Sequence, residues 1–129
     1  MELLLLNING TEDTPEITFS PDTREFMISG RSLPEDVTSF YEPVFDWLNG
    51  FSDVQTGKTV FKFKLEYFNT ASSKIILDIL MKLEELVSSD NADLLVEWHY
   101  SEADDDMLEA GEEYKELVEL PFNLVAYNY

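Results

Sequence analysis

The stretch Tyr67-Phe68-Asn69-Thr70-Ala71-Ser72-Ser73-Lys74 gathers three hydroxyls where the hydrophobic periodicity changes. An alternating segment ends there and an apolar stripe at helical spacing begins, so the hydroxyls fall at a strand-to-helix junction. Free backbone N–H groups and the positive end of the helix dipole converge at such a corner and stabilise an anion. Two chemistries suit the residues. Thr70 or Ser72 caps the helix through its side-chain oxygen, or one hydroxyl accepts a phosphate. The second adds close to two negative charges at a surface corner of the fold and is a known way to switch a binding face.

The segment 101–120 is the second concentration of polar chemistry. It carries Glu102, Asp104, Asp105, Asp106, Glu109, Glu112, Glu113, Glu116 and Glu119 against Lys115 alone, and so holds -8 of the formal charge. It lacks the Asp-x-Asp-x-Asp-Gly spacing of a calcium loop and has no histidine beside it. A solvated helix face is the expectation, with Asp104–Asp106 at the N-terminal end where the dipole favours them. Such a face is also compatible with docking of a basic partner. His99 is the only histidine and alternates with Trp98 and Tyr100, which puts it on the Glu97 side of a strand. No serine or acid is placed beside it by the sequence, as a catalytic base would need. Phosphate-binding glycine loops, nucleophile elbows and metal-ligand clusters are absent from the sequence, and cysteine is missing altogether. The expectation is a protein with no catalytic residues, metal or cofactor.

Periodicity indicates how these residues are held. Leu3–Ile8, Ile17–Phe19 and Glu25–Ile28 read as short strands, with turn signals at Asn9-Gly10 and Ser20-Pro21-Asp22 and with Gly30 ending the third. Ser32 and Glu35 have capping-box spacing and Pro34 suits a first turn, so a helix is expected from there. Val37, Phe40, Tyr41, Val44, Leu48 and Phe51 form its apolar stripe. Pro43 interrupts the stripe and predicts a kink or break near Glu42; Asn49-Gly50 is the stop. Thr59–Phe68 is the clearest strand, with Phe61, Phe63, Leu65 and Tyr67 on one face and Lys62, Lys64 and Glu66 on the other.

A second helix follows from Thr70–Ser73 with Ile76, Ile79, Leu80, Leu83 and Leu86 or Val87 on one side. Leu94–Tyr100 is the next strand, and Asp104–Asp106 opens a third helix that Pro121 ends. Phe122–Tyr127 is the last strand. The order strand, helix, strand, helix, strand from residue 59 favours parallel pairing through right-handed crossovers. The two central strands carry charge on one face only, so the helices should cover one side of the sheet and leave the other partly wet. The expected class is α/β (α+β): a mixed five- to six-stranded sheet with three main helices on one face.

The 129 residues carry 27 acidic and 8 basic side chains, a formal charge of -19. That balance argues against nucleic acid or anionic membrane as partner, since both need clustered Lys and Arg. Hydrophobic residues at 44% and aromatics at 13% are too much apolar side chain for a disordered acidic tail. The length suits one domain, residues 1–129. Leu3–Leu6 is too short for a signal-peptide core or a membrane span, and Glu2 stands where a basic region would be. With no cysteine, the expectation is a cytoplasmic protein.

The residues also carry a family likeness. Leu65-Glu66-Tyr67-Phe68-Asn69-Thr70-Ala71-Ser72-Ser73-Lys74 with Asp78 resembles the core motif of the SiaC family of bacterial regulatory phosphoproteins. Matches in order along the chain are Thr14-Pro15 with Ile17, Gly30-Arg31-Ser32 with Pro34-Glu35, Trp47, Trp98-His99-Tyr100, Glu112-Glu113-Tyr114 and Pro121-Phe122. The resemblance implies a STAS-like fold, that of the anti-sigma-factor antagonists, and a partner-switching role. It implies a protein kinase that phosphorylates the junction, a PP2C-type phosphatase that reverses this, and a diguanylate cyclase, or another output protein, bound by the unmodified form. Cyclic-di-GMP signalling and biofilm formation would be the output. The family's phosphorylated threonine falls on Thr70, with Ser72 and Ser73 as neighbours, and Asn69, Thr70, Ser72, Ser73 and Lys74 become the expected partner-binding set. The junction differs from the Asp-Ser-Ser-Gly of the common antagonists, having no glycine after its serines. The alternative is a constitutive interaction module of the same fold in which Thr70 only caps the helix.

Overall fold

The computed structural model describes residues 5–51, 58–90 and 93–128. Six strands, β1 (Leu6–Ile8), β2 (Glu16–Ser20), β3 (Glu25–Ser32), β4 (Thr59–Phe68), β5 (Leu94–Ser101) and β6 (Phe122–Tyr127), lie in one sheet in chain order. The first three pair antiparallel, as short hairpin connections require. From β3 onward every pairing is parallel. The three crossovers are the helices α1 (Val37–Asn49), α2 (Thr70–Asp90) and α3 (Asp105–Leu117). Right-handed crossovers that step one way across a sheet put every helix on the same face. The packing agrees: Trp47 of α1 meets Phe19, Phe26 and Phe61, and Tyr114 of α3 meets Trp98. Ile76, Ile79, Leu80 and Leu83 of α2 are buried in the same core.

The core has two aromatic centres. Near the hairpin, Phe19, Phe26, Trp47, Phe51 and Phe61 pack in tilted and edge-on pairs with centroids 4.9 to 6.4 Å apart. Such pairs add stability beyond the area that they bury. Toward β6, Trp98 stacks on Phe63 and donates its indole N–H to the Met107 carbonyl at 3.0 Å. That bond joins the first turn of α3 to the middle of β5.

Four sequence expectations need correction. The helix does not begin at the Ser32–Glu35 box. Ser32 ends β3, paired with Phe68, and the cap is Asp36, whose carboxylate accepts the Ser39 N–H at 3.1 Å. Those bonds hold the Asp36 carboxyl below its ordinary pKa. Pro43 produces no break, and α1 runs through it. Its missing N–H orphans the Ser39 carbonyl, but both residues are exposed and water can take the vacant bond. Gly30 does not end β3; it sits inside the strand at φ 103°, where an L side chain would be strained. The fourth correction follows from it. Gly30 pairs with Leu65 but Arg31 pairs with Tyr67, so Glu66 is an extra residue in β4. One inserted residue reverses the alternation beyond it. Tyr67 therefore turns outward, 46% exposed with Arg31 over its ring, and Phe68 turns inward against Trp98 and Tyr114. Leu3 and Leu4 of the first expected strand lie outside the described residues.

Candidate functional site

The β4 bulge sets up the junction. Because Phe68 points inward, the chain leaves the sheet with Asn69 against the end of β3, and the Asn69 N–H donates to the Ser32 carbonyl at 3.1 Å. Asn69, rather than Thr70 or Ser72, caps α2: its side-chain oxygen accepts the Ser72 N–H at 2.9 Å, and its carbonyl accepts the Ser73 N–H at 2.9 Å. The spacing of cap to third helical residue was present in the sequence, but three cap-type side chains compete there and only the backbone path selects one.

The structure separates the three hydroxyls. Ser72 is fully buried. Its hydroxyl donates to the Ser32 carbonyl at 2.9 Å and accepts from the Ser32 hydroxyl at 2.8 Å. That geometry removes it from the surface, against its expected place among the phosphate acceptors and partner contacts. The single Ser32 O–H is already donating to Ser72, so the 2.7 Å bond between Ser32 Oγ and the phenol of Tyr41 is donated by Tyr41. Tyr41, Ser32 and Ser72 thus form a directed relay from α1 through β3 to the first turn of α2. Burial is the main reason that the Tyr41 phenol is pushed up to about 12. Ser73 is half-buried, and its carbonyl accepts the Tyr114 hydroxyl of α3 at 2.8 Å. Tyr114 is also raised, again mainly by burial. Two neutral tyrosines therefore grip the turn from opposite helices. From the sequence, Tyr41 read as an ordinary member of an apolar stripe and Tyr114 entered among the family matches, so neither was expected to hold the junction.

Thr70 is the first residue of α2 and is exposed, as are Ala71 and Lys74. Its hydroxyl has no hydrogen-bond partner among the described residues. With the Ser72 and Ser73 amides occupied, the N–H groups of Thr70 and Ala71 have no partner among the described residues and stand at the positive end of the helix. An anion on Thr70 Oγ1 would sit in that field.

The other polar groups have structural roles. Asp104 caps α3 by accepting the Met107 N–H at 3.0 Å, and Asp105 and Asp106 occupy its first turn. Glu109, Glu112, Glu113 and Glu116 are exposed. Among the described residues, no group of three or more carboxylates or histidines is placed to hold a metal ion. His99 Nε2 lies 3.0 Å from Glu97 Oε1 on the open side of the sheet, on the Glu97 side of β5 as expected, so an acid does stand beside it, which corrects the sequence expectation. No described helix is long and apolar enough to cross a membrane.

Fold and junction together define a class: a one-sided mixed-sheet domain whose second crossover helix starts from a doubly anchored turn that exposes the Thr70 hydroxyl. The chain belongs to the SiaC family of regulatory phosphoproteins, whose model it matches over residues 8–127. It is 30% identical over 123 residues to an uncharacterized protein of Pseudomonas aeruginosa (strain UCBPP-PA14), covering 95% of this chain and 97% of that one. The crystal structure of apo-SiaC from Pseudomonas aeruginosa superposes with a TM-score of 0.83 at 31% identity, over 95% of this chain and 99% of the other. SiaC crystallised with the diguanylate cyclase SiaD, described there as its activator, gives a TM-score of 0.86 at 30% identity over 95% and 99% of the two chains.

Proposed function

We propose that this chain is a non-enzymatic regulatory protein that binds a diguanylate cyclase when unmodified and is released by phosphorylation of Thr70. A protein kinase and a PP2C-type phosphatase set the state, and cyclic-di-GMP synthesis is the output. The complex of the related SiaC with its cyclase supports the choice of partner. The observation that carries the switch is the sorting of hydroxyls at the junction: Thr70 is exposed and unbonded, Ser72 is sealed in the relay, and Asn69 does the capping.

The mechanism is local. A dianionic phosphate on Thr70 is favourable toward its own helix N-terminus, so modification leaves the fold intact. The same charge must be desolvated when a partner closes over the junction, and binding weakens. The side chains of Asn69, Ser73 and Lys74 frame the surface concerned.

The test uses the whole chain with its kinase, ATP and cyclase. Mass spectrometry should map the phosphate to Thr70, and pull-down should show the cyclase released. Thr70→Ala should stay within about 0.5 kcal/mol of the native stability, because the cap is Asn69. It should bind the cyclase and remain bound when kinase and ATP are added. A phosphate found only on other residues, or a Thr70→Ala protein still released by the kinase, would sink the assignment. A constitutive module would instead bind equally under all these conditions.

A further inference from the structure

Strands β3–β6 form a four-stranded parallel array with helices on one side only. Parallel sheets are ordinarily covered on both faces. The uncovered face here is not a simple polar one, since Met27, Val60, Leu95 and Val125 lie half-buried on it. Its charge also differs from that of the rest of the chain. Five of the eight basic residues, Arg24, Arg31, Lys58, Lys62 and Lys64, lie on this face or at its margin. They are interleaved with five carboxylates, Glu16, Glu25, Glu66 and Glu97 on the face and Asp93 at the margin beside Lys58. The other three basic and 22 acidic residues lie elsewhere in the chain, so the -19 belongs to the rest of the molecule.

We propose that this open face is the contact between two copies of the chain, related by a twofold axis that runs along the strands between β4 and β5. Two strongly acidic copies repel wherever their like charges face each other, and this is the face on which both signs alternate. The register makes it self-complementary. Met27, Lys62, Glu97 and Asn123 stand side by side across four strands, and Val60 stands beside Leu95 in another row. The proposed axis sets Lys62 of each copy over Glu97 of the other, and each Val60 over a Leu95. Such an isologous contact closes on itself and makes each cross-contact twice. Lys62 is exposed, and His99 engages only Oε1 of Glu97, which leaves Oε2 for the lysine of the second copy.

Sedimentation velocity and light scattering on the whole chain test this at about 0.15 M salt, where screening length is about 8 Å. Up to about 0.5 mM protein, a contact with a micromolar Kd is saturated. Twice the 14.9 kDa chain mass is expected. Lys62→Glu places two carboxylates together and should weaken association at least about tenfold, and Lys62→Glu with Glu97→Lys should restore it. Should Lys62→Glu fail to fold by circular dichroism, Glu97→Lys alone sets lysine against lysine and should weaken association likewise. A native chain that stays monomeric, a dimer indifferent to the single reversals, or a double reversal that does not recover association each overturns the proposal. It stands apart from the Thr70 switch, and neither result decides the other.

Discussion

At the scale of single residues, the informative side chain is Tyr41. It is fully buried, its phenol begins the relay, and the relay ends on the Ser32 carbonyl, which also receives the Asn69 N–H. Removing the hydroxyl in Tyr41→Phe leaves Ser32 Oγ donating to Ser72 but without its own donor. The expected cost is about 1–2 kcal/mol, from a buried acceptor left short of a partner. The loss should depend on pH. A phenol raised from 10.0 to about 12 contributes stability that is fully present below pH 10 and is lost as pH rises through 12. The native protein should therefore weaken across that window, and Tyr41→Phe should weaken less because it has lost that titration. Denaturation curves at pH 9 and pH 11.5 should show the gap between the two proteins narrowing. A gap that stays constant or widens would mean that Tyr41 ionises as freely in the folded protein as in the unfolded one.

At the scale of elements, periodicity located every described strand and helix, and the bounds of β4 were read to the residue. Phase and caps were harder to read. The alternation of Phe61, Phe63 and Leu65 extrapolates to an inward Tyr67, and nothing in β4 alone announces the extra residue at Glu66. It falls opposite the step from Gly30, at positive φ, to Arg31 in β3, so the signal lies in the partner strand rather than in β4. The Ser32–Glu35 box is a sound local signal overridden by strand pairing, and Asn69 was hidden among equally good caps. The candidate site was thus legible in place but not in its supports, since Ser32, Tyr41 and Tyr114 reach it from three other elements. Gly111 tests how tightly one of those elements is seated. A Cβ there would collide with the Trp98 ring, lying 2.8 Å from Nε1, and would come within 2.7 Å of Leu124 Cδ2. The indole cannot swing away without losing its bond to Met107. Gly→Ala in an exposed helix gains about 1 kcal/mol, whereas overpacking costs about 1–3 kcal/mol. Gly111→Ala should therefore lower stability, by up to about 2 kcal/mol, in urea denaturation. An increase would show that α3 can lift from the sheet at little cost.

At the scale of the whole molecule, the charge acts on stability as well as on association. On α3, Glu109 faces Glu113, and Glu112 faces Glu116, one helical turn apart, with Lys115 as the one basic residue in the helix. Each like-charge pair at that spacing costs about 0.2–0.5 kcal/mol in low salt. Exposed attractions such as Lys82 to Glu85, at 3.7 Å, return little. Screening should then relieve more repulsion than it removes attraction. Between 0.01 M and 1 M sodium chloride the screening length falls from about 30 Å to about 3 Å, well below the size of the domain. The melting temperature should rise over this range and flatten as the screening length drops beneath the spacing of neighbouring carboxylates. A control separates screening from general salt effects. Glu113→Lys follows Glu109 by four residues and precedes Glu116 by three, so it converts two repulsions into attractions, the first in the favourable orientation. It should raise the melting temperature at 0.01 M salt and make little difference at 1 M. A native melting temperature that falls with added salt, or a Glu113→Lys gain that persists undiminished at 1 M, would show that the folded state does not bear a net repulsive charge.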